Sequence, residues 1–372
     1  MTFLLIAGFP DSILHFRGAL IEALQARGQQ VHVAAPGLGP DSAVRGQLQA
    51  RGVTAHDIPL RRTGMNPLAD LLCLASLWRL MRRIRPDYAM GYTIKPVIYG
   101  TLAAWLARVP RRFALITGLG YAFQAGGGER RLLRGIAQRL YALGLRRAHK
   151  TFFQNPDDLE LFRSLGILGP AAPSCVVNGS GVDVAHYRPA PAPPQPRFLM
   201  IARLLGDKGV REYAQAAALL RADCPQAVFS LAGWLDDNPD AIAAAELEGW
   251  TASGDIDFLG RLADVRPAIE ACSVYVLPSY REGTPRTVLE AMAMGRAVVT
   301  TDAPGCRQTV AEGENGYLVP VKSARALADA MRRFIDDPGL APRMGARSRR
   351  MAEDRYDVGK VNAAMLAEMD IA

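Results

Sequence analysis

Short runs of apolar and β-branched residues recur along this chain, and each is followed by a longer stretch whose apolar positions return at helical spacing. Phe3 to Ala7 reads as a first strand. Phe16, Leu20, Ile21 and Leu24 follow on one helix face, Gly28 closes that helix, and Val31 to Ala34 reads as a second strand. A strand that returns through a helix pairs in parallel with the one before, so this alternation predicts a parallel sheet covered by helices. Further strands are expected at Val53–Ile58, Tyr88–Gly91, Phe113–Thr117, Thr151–Gln154 and Ser174–Val177. Pro67 to Ile84 carries leucines on nearly every side and reads as a buried helix, with Arg79, Arg82, Arg83 and Arg85 at its negative end. Asp157 and Asp158, after Asn155-Pro156, read as the first turn of another helix rather than a metal site.

The rhythm breaks once, at Arg188-Pro189-Ala190-Pro191-Ala192-Pro193-Pro194-Gln195-Pro196, where so many prolines exclude helix and sheet interior alike. It then restarts, with strands expected at Phe198–Ala202, Val228–Ala232, Ile256–Leu259, Val274–Leu277, Ala297–Thr300 and Tyr317–Val319. The 372 residues suit about two domains. We therefore expect two doubly wound α/β domains. The first covers 1–187, a Pro-rich linker 188–197, the second 198–355, and a last helix, 356–372, returns to the first domain.

Composition narrows the function. No long uncharged apolar stretch predicts a spanning helix. The opening, MTFLLIAGFPDS, lacks the basic start of a signal peptide, and five scattered cysteines fit free thiols in a reducing cytoplasm. Gly8-Phe9-Pro10-Asp11-Ser12 is no G-x-G-x-x-G, so no dinucleotide cofactor is expected. The net charge of +8 is uneven: residues 1–185 hold 22 Lys and Arg against 11 Asp and Glu, net +11, and the remainder holds 22 against 25, net −3. The first half thus suits an anionic surface, either nucleic acid or membrane. The stretch Glu129 to Lys150 reads as one basic helix with leucines on its other side, as an interfacial helix or a solvated face over ordinary core.

The densest chemistry lies in Ser279 to Gly295, SYREGTPRTVLEAMAMG. A buried strand ends at Pro278, a loop holds Glu282 and Gly283, and Pro285 fits the first turn of a helix that Gly295 stops. Such a helix aims free N–H groups out of the carboxyl end of a strand, which suits a phosphate. Glu282 and Glu290 bracket it and can accept hydrogen bonds from hydroxyls on either side. Diphosphate between two sets of hydroxyls describes a sugar nucleotide. Upstream, Ala202-Arg203-Leu204-Leu205-Gly206-Asp207-Lys208-Gly209 places two cations just beyond another strand. Fixed there, Arg203 and Lys208 would stabilise a departing diphosphate as it gains charge.

Glu282-Gly283-Thr284-Pro285 with Glu290 eight residues on, joined to Arg203 and Lys208, resembles the signature of retaining family 4 glycosyltransferases, whose two domains face a central cleft in the B-type fold. The resemblance covers nearly the whole chain. It implies that Glu282 holds the donor sugar's hydroxyls and Glu290 the ribose. Amides of Gly283, Thr284, Pro285's neighbours and Thr287 would meet phosphate or sugar, Arg286 would add a contact, and Leu259-Gly260-Arg261 would lie at the base. The family transfers with retention, by attack on the face the phosphate leaves.

Many members carry a first-domain His beside the donor. Here the corresponding loops read Tyr92-Thr93-Ile94-Lys95-Pro96 and Thr117-Gly118-Leu119-Gly120-Tyr121, so Lys95 or Thr117, with Gly118, stands in that place. These loops resemble a subgroup that builds capsule, O-antigen and glycan-carrier oligosaccharides on undecaprenyl diphosphate. That implies a UDP-sugar donor, a lipid-diphosphate-linked acceptor, peripheral contact with the inner face of the plasma membrane, no nucleic acid and no cofactor. No Asp-x-Asp stands at a strand end, so no metal is expected. His15 and Arg17 open the first helix near the expected cleft as ligand contacts or plain surface. The alternative function is a nucleotide-sugar epimerase of the same fold.

Overall fold

The computed structural model describes residues 1–61, 66–118, 128–236 and 238–371, with the side chains of 128–134 excepted. Leu119, Gly120 and Tyr121 of the expected loop, and the side chains of the expected basic helix from Glu129 to Arg134, lie outside the described residues. The chain forms two compact units, residues 1–180 with 359–372, and residues 181–358.

The first unit is built on β1 (Thr2–Ile6), α1 (Asp11–Ala26), β2 (Gln30–Ala35), α2 (Ala43–Ala50), β3 (Thr54–Asp57), α3 (Pro67–Ile84), β4 (Tyr88–Tyr92), α4 (Thr101–Leu106), β5 (Arg111–Ile116), α5 (Gly128–Leu145), β6 (Lys150–Phe153), α6 (Pro156–Ser164) and β7 (Ser174–Val176). Its sheet is parallel throughout, in the order β3-β2-β1-β4-β5-β6-β7. Alternate residues of β1 feed two cores. Phe3 and Leu5 join the layer that holds Leu20 and Leu24 of α1, and Leu4 and Ile6 join the layer that holds Leu77 and Met81 of α3. Burial on both faces is why these strands read as continuous apolar runs.

Local rules set the helix starts. Asn66 and Asn155 accept backbone N–H bonds at the amino ends of α3 and α6, each ahead of a proline in the first turn. Two expectations need correcting. The helix expected to run to Lys150 ends at Leu145, because Lys150 already pairs with Phe113 as the first residue of β6. Nor is α3 buried all round. Leu68, Leu71 and Leu72 are 74%, 61% and 63% exposed, since α3 covers the sheet with one face only, through Cys73, Leu77, Leu80 and Met81.

The second unit has β8 (Arg197–Ile201), α7 (Val210–Arg221), β9 (Val228–Ala232), α8 (Ala244–Ala252), β10 (Asp257–Gly260), α9 (Arg266–Glu270), β11 (Val274–Leu277), α10 (Arg286–Ala293), β12 (Ala297–Thr301), β13 (Gly316–Val319), α11 (Ala324–Asp336) and α12 (Leu340–Met351). Its parallel sheet runs β10-β9-β8-β11-β12-β13. The proline run lies inside this unit, where the Ala190 N–H bonds the Met294 carbonyl at 3.3 Å. The division therefore falls at Ser180–Gly181, ahead of the prolines, because Val182 already exchanges backbone bonds with Tyr356 and Val358. After α13 (Val358–Glu368) begins, the chain belongs to the first unit and adds Met365, Leu366 and Met369 to the α1 layer. Among the described residues no helix is long and apolar enough to cross a membrane.

Candidate active site

In the second sheet β8 and β11 are neighbours, although the chain visits β9 and β10 between them. Strands before and after this point wind to opposite sides, and the crevice that opens at such a reversal is where doubly wound sheets bind ligands. Both predicted loops leave the carboxyl ends of these two strands. The β8 loop carries Arg203 and, in a short 3₁₀ turn Gly206–Lys208, Lys208. The β11 loop carries Ser279 to Pro285.

The two loops are bonded together. The N–H of Tyr280 donates to the Asp207 carbonyl at 2.8 Å, and Ser279 Oγ lies 3.2 Å from the same oxygen. Gly209 has φ +74°, and a Cβ there would lie 2.2 Å from the Pro278 carbonyl oxygen, so only glycine lets the loops meet. The result is a direct ion pair: Lys208 Nζ lies 2.5 Å from Glu282 Oε1, and the Ser279 hydroxyl donates to the same oxygen at 2.8 Å. Both side chains are more than four-fifths buried. Burial works against the Lys208 charge, yet the Glu282 carboxylate overrides it and holds the ammonium above its ordinary range.

A second cluster sits on α10. Glu290 is buried, and its Oε1 accepts from Arg286 Nε at 2.8 Å and from the Tyr187 hydroxyl at 2.9 Å. Burial and the Glu290 carboxylate push the Tyr187 phenol up, so it stays a donor at any working pH. Thr287 Oγ1 reaches the Ile201 carbonyl at 3.4 Å and ties α10 to the end of β8. Pro285 is the cap residue of α10 and not its first helical residue, and its own side chain makes no cap hydrogen bond. Gly283 and Pro285 are buried, and Thr284 is half-buried, between the two clusters. Arg203 pairs with Asp236 at 3.4 Å, and the Arg261 guanidinium lies 5.1 Å over the Trp234 ring, at the ends of β10 and β9.

The structure therefore joins Lys208 to Glu282 and Arg286 to Glu290 around the β8–β11 reversal. Charges at such a point supply cations for an anionic ligand and carboxylates for its hydroxyls. Sequence reasoning missed Ser279, Tyr187, Asp236 and Gly305. Ser279, three residues before Glu282, had a local signal. Tyr187 had none, lying 103 positions from its partner. Gly305 has φ +80°, and a Cβ there would lie 2.1 Å from the Glu282 carbonyl oxygen and 2.6 Å from that of Gly283. Gly305→Ala is expected to displace this loop, lowering turnover at least about tenfold, since angstrom-scale misplacement costs up to a hundredfold. Wild-type turnover in that variant would show that the loop position is immaterial.

In the first unit the reversal falls between β1 and β4. Arg17 is only 2% exposed, with its guanidinium 5.2 Å over the Tyr92 ring, and the Tyr92 hydroxyl meets Ser12 Oγ at 2.8 Å. Arg17 is thus packed into the fold and not presented at a surface. His15 is exposed, its Nδ1 2.7 Å from the Asp11 carbonyl. Lys95 Nζ lies 2.7 Å from Asp70 Oδ1, and the Tyr99 hydroxyl holds Asp70 Oδ2 at 2.9 Å. Thr117 and Gly118 follow β5, and Gly118 has φ +135°. Among the described residues no three His, Cys, Asp or Glu side chains cluster as metal ligands.

Two doubly wound units, the second with cations and carboxylates at its reversal, form the glycosyltransferase B-type fold. The family profiles agree: "Glycosyl transferases group 1" matches residues 195–337, and "Glycosyl transferase 4-like domain" matches residues 16–179. The chain belongs to this glycosyltransferase family. It is 31% identical, over 88% of both chains, to the N,N'-diacetylbacillosaminyl-diphospho-undecaprenol alpha-1,3-N-acetylgalactosaminyltransferase of Campylobacter jejuni. It is 24% identical to the UDP-Gal:alpha-D-GlcNAc-diphosphoundecaprenol alpha-1,3-galactosyltransferase of Escherichia coli, over 77% of this chain and 76% of that one. In fold it is similar to Anabaena HepE in complex with UDP, with a TM-score of 0.78 at 19% identity over the whole of both chains. Sucrose-phosphate synthase from Thermosynechococcus elongatus has a TM-score of 0.80 at 19% identity, over 98% of this chain and 97% of that one.

Proposed function

We propose that the chain moves an N-acetylhexosamine or hexose from a UDP-sugar to a sugar carried on undecaprenyl diphosphate, with retention and without a metal, peripherally at the cytoplasmic face of the plasma membrane. The observation that carries this reading is the Lys208–Glu282 pair beside the Arg286–Glu290–Tyr187 cluster at the β8–β11 reversal. The two relatives named for undecaprenol-linked acceptors supply the acceptor class, and the basic first half suits an anionic membrane.

In this reading Arg203 and Lys208 hold the diphosphate, Glu282 orients the donor sugar and Glu290 takes the ribose. The amides from Gly283 to Thr287 face phosphate or sugar, and Arg261 lies at the base. In the first unit Lys95, Thr117, Gly118 and His15 are the proposed ligand contacts. An acceptor hydroxyl oxygen bonds the anomeric carbon on the face that the diphosphate leaves. The bond from that carbon to the β-phosphate oxygen breaks, UDP departs, and a phosphate oxygen takes the hydroxyl proton. Fixed cations act because they meet charge that grows in the transition state.

A donor panel tests the proposal. UDP release is measured for each UDP-sugar with an undecaprenyl-diphosphate-linked acceptor, and the product's anomeric configuration is read by NMR. Release is expected only with donor and acceptor together, giving an α-linkage and persisting in EDTA. A donor isomer formed without acceptor would replace the transferase reading with an epimerase.

A further inference from the structure

The face of α3 turned to solvent changes character along its length. Leu68, Leu71 and Leu72 are exposed in its first half, and Arg79, Arg82 and Arg83 are exposed in its second. At helical spacing these residues share one side, opposite Cys73, Leu77, Leu80 and Met81 in the core. A recess of about 430 Å³ opens beside the arginine half, lined by Arg45, His56, Asp57, Ser76, Arg79 and Arg83 among others. Asp57 is its carboxylate, and its Oδ1 accepts the Leu38 N–H at 3.2 Å. Arg45 donates to the Leu38 carbonyl at 3.0 Å, while Arg79 and Arg83 have no acidic partner among the described residues. Three guanidinium groups thus share the recess with one carboxylate. The field is felt by His56, stacked on His32 with rings 5.1 Å apart: burial first, then His32, Arg83 and Arg45 push its imidazole down to about 4. It sits there neutral and adds no charge of its own.

We infer that α3 and this recess are the membrane-docking surface of the first unit: Leu68, Leu71 and Leu72 enter the boundary between headgroups and acyl chains, and Arg45, Arg79 and Arg83 take the phosphate of an anionic bilayer lipid. A leucine-bearing helix face with cations on the same side matches an interface that is apolar below and anionic at its surface. The α3 axis spans about 27 Å, long enough to set both halves against one bilayer. A water-soluble protein partner would meet unpaired arginines and bare leucines on one helix face, and a phospholipid surface satisfies both. The inference rests on the reading that the acceptor is lipid-borne, and it is tested without donor or acceptor.

Full-length protein is floated with phosphatidylcholine vesicles containing or lacking phosphatidylglycerol, alongside R79Q/R83Q, L68S/L71S/L72S and the charge-matched control R221Q/R325Q. The positions are exposed, and thermal melts confirm folding. We expect binding that needs phosphatidylglycerol and falls at least about tenfold in the first two variants and less than about twofold in the control, as expected for basic and apolar interfacial contacts. Transfer to a short-chain, water-soluble acceptor stays unchanged in all of them. Equal losses in the control would reduce the effect to net charge and overturn the inference. So would vesicle binding untouched by either variant, displacement from the recess by inorganic phosphate with no vesicle binding, or a dimer that only the leucine variant dissociates. Failed transfer with normal flotation would instead count against the proposed reaction.

Discussion

Lys208→Ala should lower kcat about a hundred- to a thousandfold, the usual loss when one fixed group aimed at developing charge is removed. The ammonium is not on a free arm. It leaves a short 3₁₀ turn whose Gly209 is locked against Pro278, and Glu282 fixes its position at 2.5 Å. The diphosphate of a donor is already anionic before reaction, so part of the Lys208 contribution is spent on binding. The part that matters for rate arises as the bridging oxygen takes on the charge of the broken bond, so the loss should appear in kcat as well as KM. Lys208→Arg keeps the charge but exchanges a compact ammonium for a planar fork, and it should recover only a fraction of the rate. Steady-state UDP release and a single-turnover measurement separate the two parameters. A Lys208→Ala enzyme with kcat within about threefold of wild type, a gap under about 1 kcal/mol, would remove Lys208 from the chemistry.

Much of this was legible in the chain. The strand expected at Val274–Leu277 coincides with β11, that at Val228–Ala232 with β9, and the helix at Pro67–Ile84 with α3, because caps, prolines and apolar runs are local signals. The order of strands is not local. Nothing in the hydrophobic pattern says that β11 lies against β8 and not against β10, yet that adjacency brings Lys208 onto Glu282. Tyr187 on Glu290 and Gly305 beneath Glu282 are products of the same tertiary packing. The α3 leucines failed in the opposite way. Apolar residues all round a helix do not say which side has a neighbour, and the side that lacks one carries the inference about membrane docking. The proline run was read correctly as irregular, but composition could not say to which unit its backbone bonds belong.

Glu282→Ala should abolish detectable transfer, a loss of about a thousandfold or more if the carboxylate orients the reacting sugar, since positioning and charge act together. The same change removes the counter-ion of Lys208. Without Glu282, burial still opposes the ammonium and Asp207 alone supports it, so the Lys208 pKa should fall back. In the wild type that pKa is raised, so the pair stabilises the fold below the ordinary lysine value, and this contribution is lost only as pH climbs through the raised one. The variant should therefore be less stable at neutral pH, by about 3–5 kcal/mol, the cost of leaving one charge of a buried pair without its partner. Two effects of one substitution can be mistaken for each other, and the double variant separates them. In stability, Lys208→Ala combined with Glu282→Ala should cost less than the two single changes added together, because both break one pair. In turnover the two should compound, if each touches a different part of the donor. A double variant no slower than Lys208→Ala alone would reduce Glu282 to a holder of Lys208, with no contact to the sugar.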